Sequence, residues 1–223
     1  MKTSLYALVY ALVYGVLLTG CGAGSPDLCP TGDMLGSSDD PSKEDVLIIG
    51  DSISIGYTPT VQRELPQFEV MHNLCNARNS TNGVALVDQW LAQRPHFKLV
   101  TFNHGIWDHT TGWTTTKAEY LQNLETIARK LQLHADHVVF FTTTSIPVNI
   151  PAMDHASVDD WNTDATLLMQ SLGITVYDLN ATSKTIPHLH VDAAAGTDVH
   201  FLPAGYEILG QSVTSAIKAE LGI

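Results

Sequence analysis

The sequence predicts an α/β domain built on a five-stranded parallel sheet with helices on both faces. Two patterns carry this. Apolar runs of strand length recur along the chain, and the segments between them repeat their apolar residues at helical spacing. A third observation is the first run, Asp45-Val46-Leu47-Ile48-Ile49, which is nearly all apolar and stops at Gly50. An unbroken run, as opposed to an alternating one, is the mark of a strand covered on both faces.

Four further strands are expected at Phe68–Met71, Phe97–Phe102, His137–Thr142 and Ile174–Leu179. Helical patterns separate them. Val84 to Arg94 sets Val84, Val87 and Leu91 on one stripe, and Lys117 to Leu133 does the same with Tyr120, Leu121, Leu124, Ile127 and Leu131. Trp161–Leu172 and Ala204–Leu221 complete the set. In a sheet of this kind ligands bind outside the carboxyl ends of the strands, so chemistry is to be sought just after each one.

With 223 residues, 44% of them hydrophobic and 15% charged, the chain can bury one sizeable core and is neither disordered nor collagen-like. Eleven Lys and Arg against 23 Asp and Glu give a formal charge of −12. That excludes the basic stripe a nucleic-acid binder uses to displace counterions.

Residues 1–20 read as an export signal: Lys2, then an uncharged apolar run from Leu5 to Leu18. The run is shorter than the roughly 20 residues that span a bilayer. Leu18-Thr19-Gly20-Cys21 resembles the lipobox of bacterial lipoproteins, which implies cleavage before Cys21 and lipidation of its thiol. The expectation is a lipid-anchored protein of the bacterial cell envelope, or otherwise a secreted one. Residues 21–44, rich in Gly, Ser, Pro and Asp, read as a flexible tether, and 45–223 as the domain. An oxidising envelope permits a disulfide between Cys29 and Cys75.

After the first strand comes Gly50-Asp51-Ser52-Ile53-Ser54. A serine at a strand-to-helix turn can present its hydroxyl beside backbone N–H groups, although Asp and Ser are also ordinary helix caps. The Gly-x-Ser-x-Gly elbow is absent, as are the phosphate-binding loop and the dinucleotide fingerprint. Near the chain's end stands Thr197-Asp198-Val199-His200-Phe201-Leu202-Pro203-Ala204-Gly205-Tyr206. If the last helix packs beside the first strand, His200 can take the proton that makes a serine hydroxyl nucleophilic.

Gly50-Asp51-Ser52-Ile53 and Asp198-Val199-His200-Phe201 together resemble the first and last sequence blocks of the SGNH (GDSL-type) hydrolases. The resemblance spans about residues 45 to 221. It implies a flavodoxin-like three-layer α/β/α fold and a serine esterase that works through an acyl-enzyme without metal or organic cofactor. Ser52 is then nucleophile and oxyanion donor, and His200 the general base.

The other blocks depart from the family pattern. Counting from Asn76 puts Thr81 where the family's second oxyanion donor, a glycine, would stand. In Gly105-Ile106-Trp107-Asp108, Trp107 replaces the usual asparagine, and Asn103 is proposed to supply the amide instead. The family spacing places the orienting acid at Thr197, whereas this chain offers Asp198. Residues two apart share a side in an extended stretch but not in a turn. Asp192 and a backbone carbonyl are the alternatives for orienting His200.

Among other clusters, His104, His109, His188, His190 and His200 raise a zinc reading but lack the companion Cys or carboxylate spacing of such a site. Trp107, Trp113 and Trp161 are candidates to line a sugar-binding cleft, while Trp90 reads as core. Asp159 and Asp160 read as a solvated cap before a helix at Trp161. The expected substrate is a small-molecule or polysaccharide ester, with O-acetyl carbohydrate favoured over a lysophospholipid or short-chain lipid ester, and the protein is expected as a monomer. The rivals are a catalytically inactive binding lipoprotein on the same fold and, more remotely, a metallohydrolase.

Overall fold

The computed structural model describes residues 36, 38, 40–113, 115–186, 191 and 197–223. The expected export signal, Cys21, Cys29, His188, His190, Asp192 and most of the tether lie outside the described residues. Five strands form the sheet: β1 (Glu44–Ile49), β2 (Phe68–His72), β3 (Phe97–Phe102), β4 (Ala135–Phe141) and β5 (Thr175–Tyr177). Their order is β2-β1-β3-β4-β5 and every pairing is parallel. The chain therefore starts in the sheet, steps outward to β2, and crosses back over β1 to β3. That reversal opens a crevice at the carboxyl ends, where doubly wound folds bind ligands.

Among the described residues, six helices connect and follow the strands: α1 (Ser52–Glu64), α2 (Ser80–Leu91), α3 (Lys117–Gln132), α4 (Val158–Ser171), α5 (Leu179–Lys184) and α6 (Pro203–Leu221). Side chains alternate across the sheet and feed two cores. Leu47, Ile49, Met71, Val100, Phe102, Val138 and Phe140 pack under α2, α3 and α4. Val46, Ile48, Val70, Leu99, Val139 and Phe141 pack under α1 and α6. Trp90 is buried in the first of these cores, as expected.

Local chemistry sets the helix starts. Asp51 caps α1, its carboxylate accepting from Ile53 N–H at 2.9 Å, and Asn79 caps α2 through Asn82 N–H at 3.0 Å. Thr116 and Glu119 form a reciprocal capping box on α3. Two expectations change. The last strand ends at Tyr177, because Asp178 caps the short helix α5. Helix α4 begins at Val158, so Asp159 and Asp160 lie in its first turn, paired with Lys184 and Lys117. Trp161 is partly buried against the first core, its ring tilted against those of His109 at 4.4 Å and Tyr120 at 5.2 Å. No helix among the described residues is long and apolar enough to cross a membrane.

Candidate active site

Helices α1 and α6 run parallel, side by side. Gly56 lies under the Tyr206 ring, which a methyl group there would overlap, and a Cβ at Gly210 would come within 2.5 Å of Thr60 Cβ. Partners 56 with 206 and 60 with 210 keep the same offset, so both helices begin at the same end of the sheet. Two glycines thus let the backbones approach closely and carry the two ends of the sequence to one place.

Ser52 is the first residue of α1, and His200 stands three residues before Pro203 opens α6. Val199 and Phe201 are buried on either side of His200, and Phe201 meets Tyr206 edge-on at 5.8 Å. These anchors leave the half-buried imidazole facing Ser52. His200 Nε2 lies 2.8 Å from Ser52 Oγ, and His200 Nδ1 lies 2.6 Å from Asp198 Oδ1. Since a carboxylate only accepts, Nδ1 carries the proton and Nε2 is left to accept from the serine hydroxyl.

Asp198 achieves this in a turn, where sequence reasoning expected the geometry to fail. Its Oδ1 also accepts the backbone N–H of His200 at 2.8 Å. This is an Asx turn, in which the side chain folds back on the amide two residues ahead. The two-residue spacing is thereby as serviceable as an extended strand would be.

Next to Ser52, Asp51 is buried, and its Oδ2 has no partner among the described residues. Burial pushes this carboxyl up to about 6, against the pull of the Ile53 N–H and the His200 ring. Asp108 is buried nearby and takes Ser80 Oγ at 2.6 Å and Ser80 N–H at 3.0 Å, fastening the start of α2 to the loop after β3. Desolvation raises it to about 6 as well, opposed by those bonds from Ser80.

The block after β2 sits differently from the sequence-based count. Thr81 is the second residue of α2, exposed, with Oγ1 turned to Asn123 of α3 at 3.2 Å. Contact with the Gly50–Ser52 turn is made earlier: Ala77 N–H donates to Gly50 O at 2.9 Å. Arg78 follows in the left-handed region, at φ 55°, directly before the Asn79 cap. Counting backward from that cap, and not forward from Asn76, would have found this turn.

Asn103 closes β3 beside β1, its backbone N–H donating to Ile49 O at 3.0 Å. Its side-chain amide donates to Phe141 O at 2.8 Å, so one of its two amide hydrogens ties the ends of β3 and β4 together. Trp107 is half-buried against the core under α1 and α6, and meets the partly exposed Trp113 edge-on at 6.0 Å. Cys75 is disulfide-bonded, and its partner thiol lies outside the described residues. No group of three or more His, Cys, Asp or Glu among the described residues is arranged to hold a metal ion.

This architecture has solved counterparts. The fold is shared with known esterases and acylhydrolases. The chain is similar to an acetylxylan esterase from Geobacillus stearothermophilus at 17% identity and TM-score 0.63, covering 86% of this chain and 97% of that one. It is similar to a lipase/acylhydrolase from Enterococcus faecalis at 18% identity and TM-score 0.65, covering 79% and 96%. An aryl esterase from M. smegmatis matches at 15% identity and TM-score 0.64, covering 79% and 99%. No family model matches the sequence, and none of the curated proteins matches it at sequence level.

Proposed function

We propose that the protein is a serine esterase that removes O-acyl groups, acetyl above all, from carbohydrate. The observation that carries the reading is the hydrogen-bonded chain Ser52 Oγ, His200 Nε2, His200 Nδ1, Asp198 Oδ1, with links of 2.8 and 2.6 Å. A serine hydroxyl becomes a useful nucleophile when a base held in the right tautomer receives its proton, and this chain provides that base.

Ser52 Oγ attacks the ester carbonyl as its proton passes to His200 Nε2. The imidazolium is stabilised by Asp198. Negative charge on the carbonyl oxygen is met by the Ser52 N–H at the start of α1, where unpaired helix amides favour an anion. The second amide hydrogen of Asn103 is proposed as a further donor. Collapse of the adduct expels the alcohol, which takes the proton from His200. Water then adds to the acyl carbon as it gives its proton to His200, and the acid leaves as Ser52 Oγ takes that proton back from His200.

Support for a carbohydrate substrate comes from Trp113, partly exposed and braced edge-on by Trp107 in the loop that leaves β3 beside the nucleophile. A fixed indole face suits the C–H surface of a sugar ring. The carbohydrate-active neighbours of the same fold, including a carbohydrate acetylesterase from Sinorhizobium meliloti, are consistent with this choice. The reading extends to a cell-envelope site with a lipid anchor at Cys21, supported by the apolar run and the small residues before that cysteine.

A fluorophosphonate probe tests the chemistry. Wild type is expected to be labelled at Ser52, and Ser52→Ala to be silent; an intact wild type that resists labelling would leave a binding protein on an esterase fold. A panel of acetylated xylan, acetylated pectin, O-acetyl sialate and lysophospholipid then tests the substrate, with acetyl release from the polysaccharides expected to dominate. A preference for lysophospholipid would overturn the carbohydrate assignment.

A further inference from the structure

We propose that His104 is a positioning residue: its imidazole holds the left-handed turn at Arg78, and through that turn the Gly50–Ser52 turn that presents the nucleophile. The inference rests on the hydrolase reading of Ser52.

His104 is fully buried directly after β3, at the carboxyl end of the sheet. Its Nδ1 lies 3.3 Å from the carbonyl oxygen of Arg78. A carbonyl can only accept, so Nδ1 must carry the ring proton, and burial keeps the ring neutral, with its pKa lowered to about 4. Nε2 then has no hydrogen and, among the described residues, no partner. Gly83 is pressed against that side, where a Cβ would come within 2.6 Å of Nε2 and of Cε1.

A buried nitrogen without a partner is a cost that Leu or Phe in the same space would avoid. The donor at Nδ1 is what a histidine offers in return. It is aimed at a residue that needs holding, because non-glycine side chains disfavour the left-handed conformation that Arg78 adopts at φ 55°.

The surroundings make the donor a fixed point. The His104 carbonyl receives Thr143 Oγ1 at 2.8 Å and Tyr120 Oη at 2.9 Å, from the loop after β4 and from α3. Arg78 is held from its other end too, its N–H donating to Asn76 Oδ1 at 2.8 Å. One residue back, Ala77 N–H meets Gly50 O, two residues from Ser52. The path from imidazole to nucleophile is therefore three short links: His104 to Arg78, the peptide to Ala77, and Ala77 to Gly50.

Substitution at both ends tests this. His104→Leu removes the donor, and the expected result is a kcat reduced about 10- to 100-fold on p-nitrophenyl acetate with KM nearly unchanged. His104→Asn keeps an N–H donor near the place of Nδ1 and is expected to retain most of the activity; it also serves if the leucine variant fails to fold. The decisive measurement adds Arg78→Gly, since glycine adopts the left-handed turn without a Cβ penalty. His104→Leu combined with Arg78→Gly is expected to recover most of the lost kcat. A histidine that merely filled space would give no such recovery, and an unrescued loss in the double variant, or full activity in His104→Leu alone, would overturn the proposal. Probe labelling of wild-type Ser52 is read separately, so failure of the hydrolase assignment is distinguishable from failure of this one.

Discussion

Asp198 and His200 are joined twice through one oxygen: Asp198 Oδ1 accepts both the backbone N–H of His200, at 2.8 Å, and its Nδ1, at 2.6 Å. The first bond shapes the loop and the second orients the ring, so one carboxylate both builds the turn and fixes the imidazole.

The two roles respond differently to substitution. Asp198→Asn keeps an oxygen able to accept the backbone N–H but removes the charge that stabilises the imidazolium. Asp198→Ala removes both. A fall in kcat of about 10³–10⁴ is expected for the alanine variant, comparable to loss of the acid in other triads. The asparagine variant should show a similar kcat loss with a smaller drop in melting temperature. Alanine activity within threefold of wild type would move the orienting role to another group.

How much of this was visible in the sequence depended on what each element buries. β1 was legible as an unbroken apolar run because both of its faces are covered. α1 was not legible as an apolar stripe, since much of its buried surface is Ser54, Thr58 and Thr60, with Pro59 in its middle. Gly56 and Thr60 are what face α6 where the two helices approach closely, so the helix that carries Ser52 has the weakest apolar pattern. Ser52 and His200 were singled out from their flanking residues and lie 2.8 Å apart, whereas a linear count to Thr81 passes over the left-handed turn at Arg78 and lands on an exposed helical residue.

Asn103 carries a structural bond and a proposed catalytic one, and these separate experimentally. Losing a single oxyanion donor typically costs about 10²–10³ in kcat. Asn103→Asp preserves shape but offers no donor to either the Phe141 carbonyl or the substrate. We expect kcat to drop by that factor in a protein that still folds, as followed by circular dichroism. Loss of stability with unchanged kcat at low temperature would confine Asn103 to tying β3 to β4.

Gly56 offers a test of how the two ends of the chain are brought together. A methyl group there would overlap the Tyr206 ring and push α6 away from α1. Overpacking of this kind costs about 1–3 kcal/mol. Gly56→Ala should lower the urea midpoint accordingly and also reduce kcat, because Tyr206 braces Phe201 beside His200. Adding Tyr206→Leu should restore part of the stability by making room. If Gly56→Ala is as stable as wild type, the close packing described for the two helices is wrong.

Stability should climb with pH across the mildly acidic range, and the sign follows from five buried groups. Burial lowers His72, His104 and His109 from 6.5 to about 4, so between those pH values the unfolded chain binds more protons at these sites than the native one. Native stability from them is lost as pH falls through that window, on the order of 3 kcal/mol for one histidine at full shift. Asp51 and Asp108 act in the opposite sense, since burial raises each from 3.8 to about 6 and the native state holds the extra proton between those values. Three imidazoles against two carboxyls leave a rising slope from pH 4 to 6. The slope is steepest near pH 6, where the opposing carboxyls begin to lose their proton in the native state. Urea midpoints measured at pH 4.5, 5.5, 6.5 and 7.5 are expected to increase and then level off. A midpoint that is constant or declines from pH 4.5 to 6.5 would mean that these histidines are not buried in their neutral form.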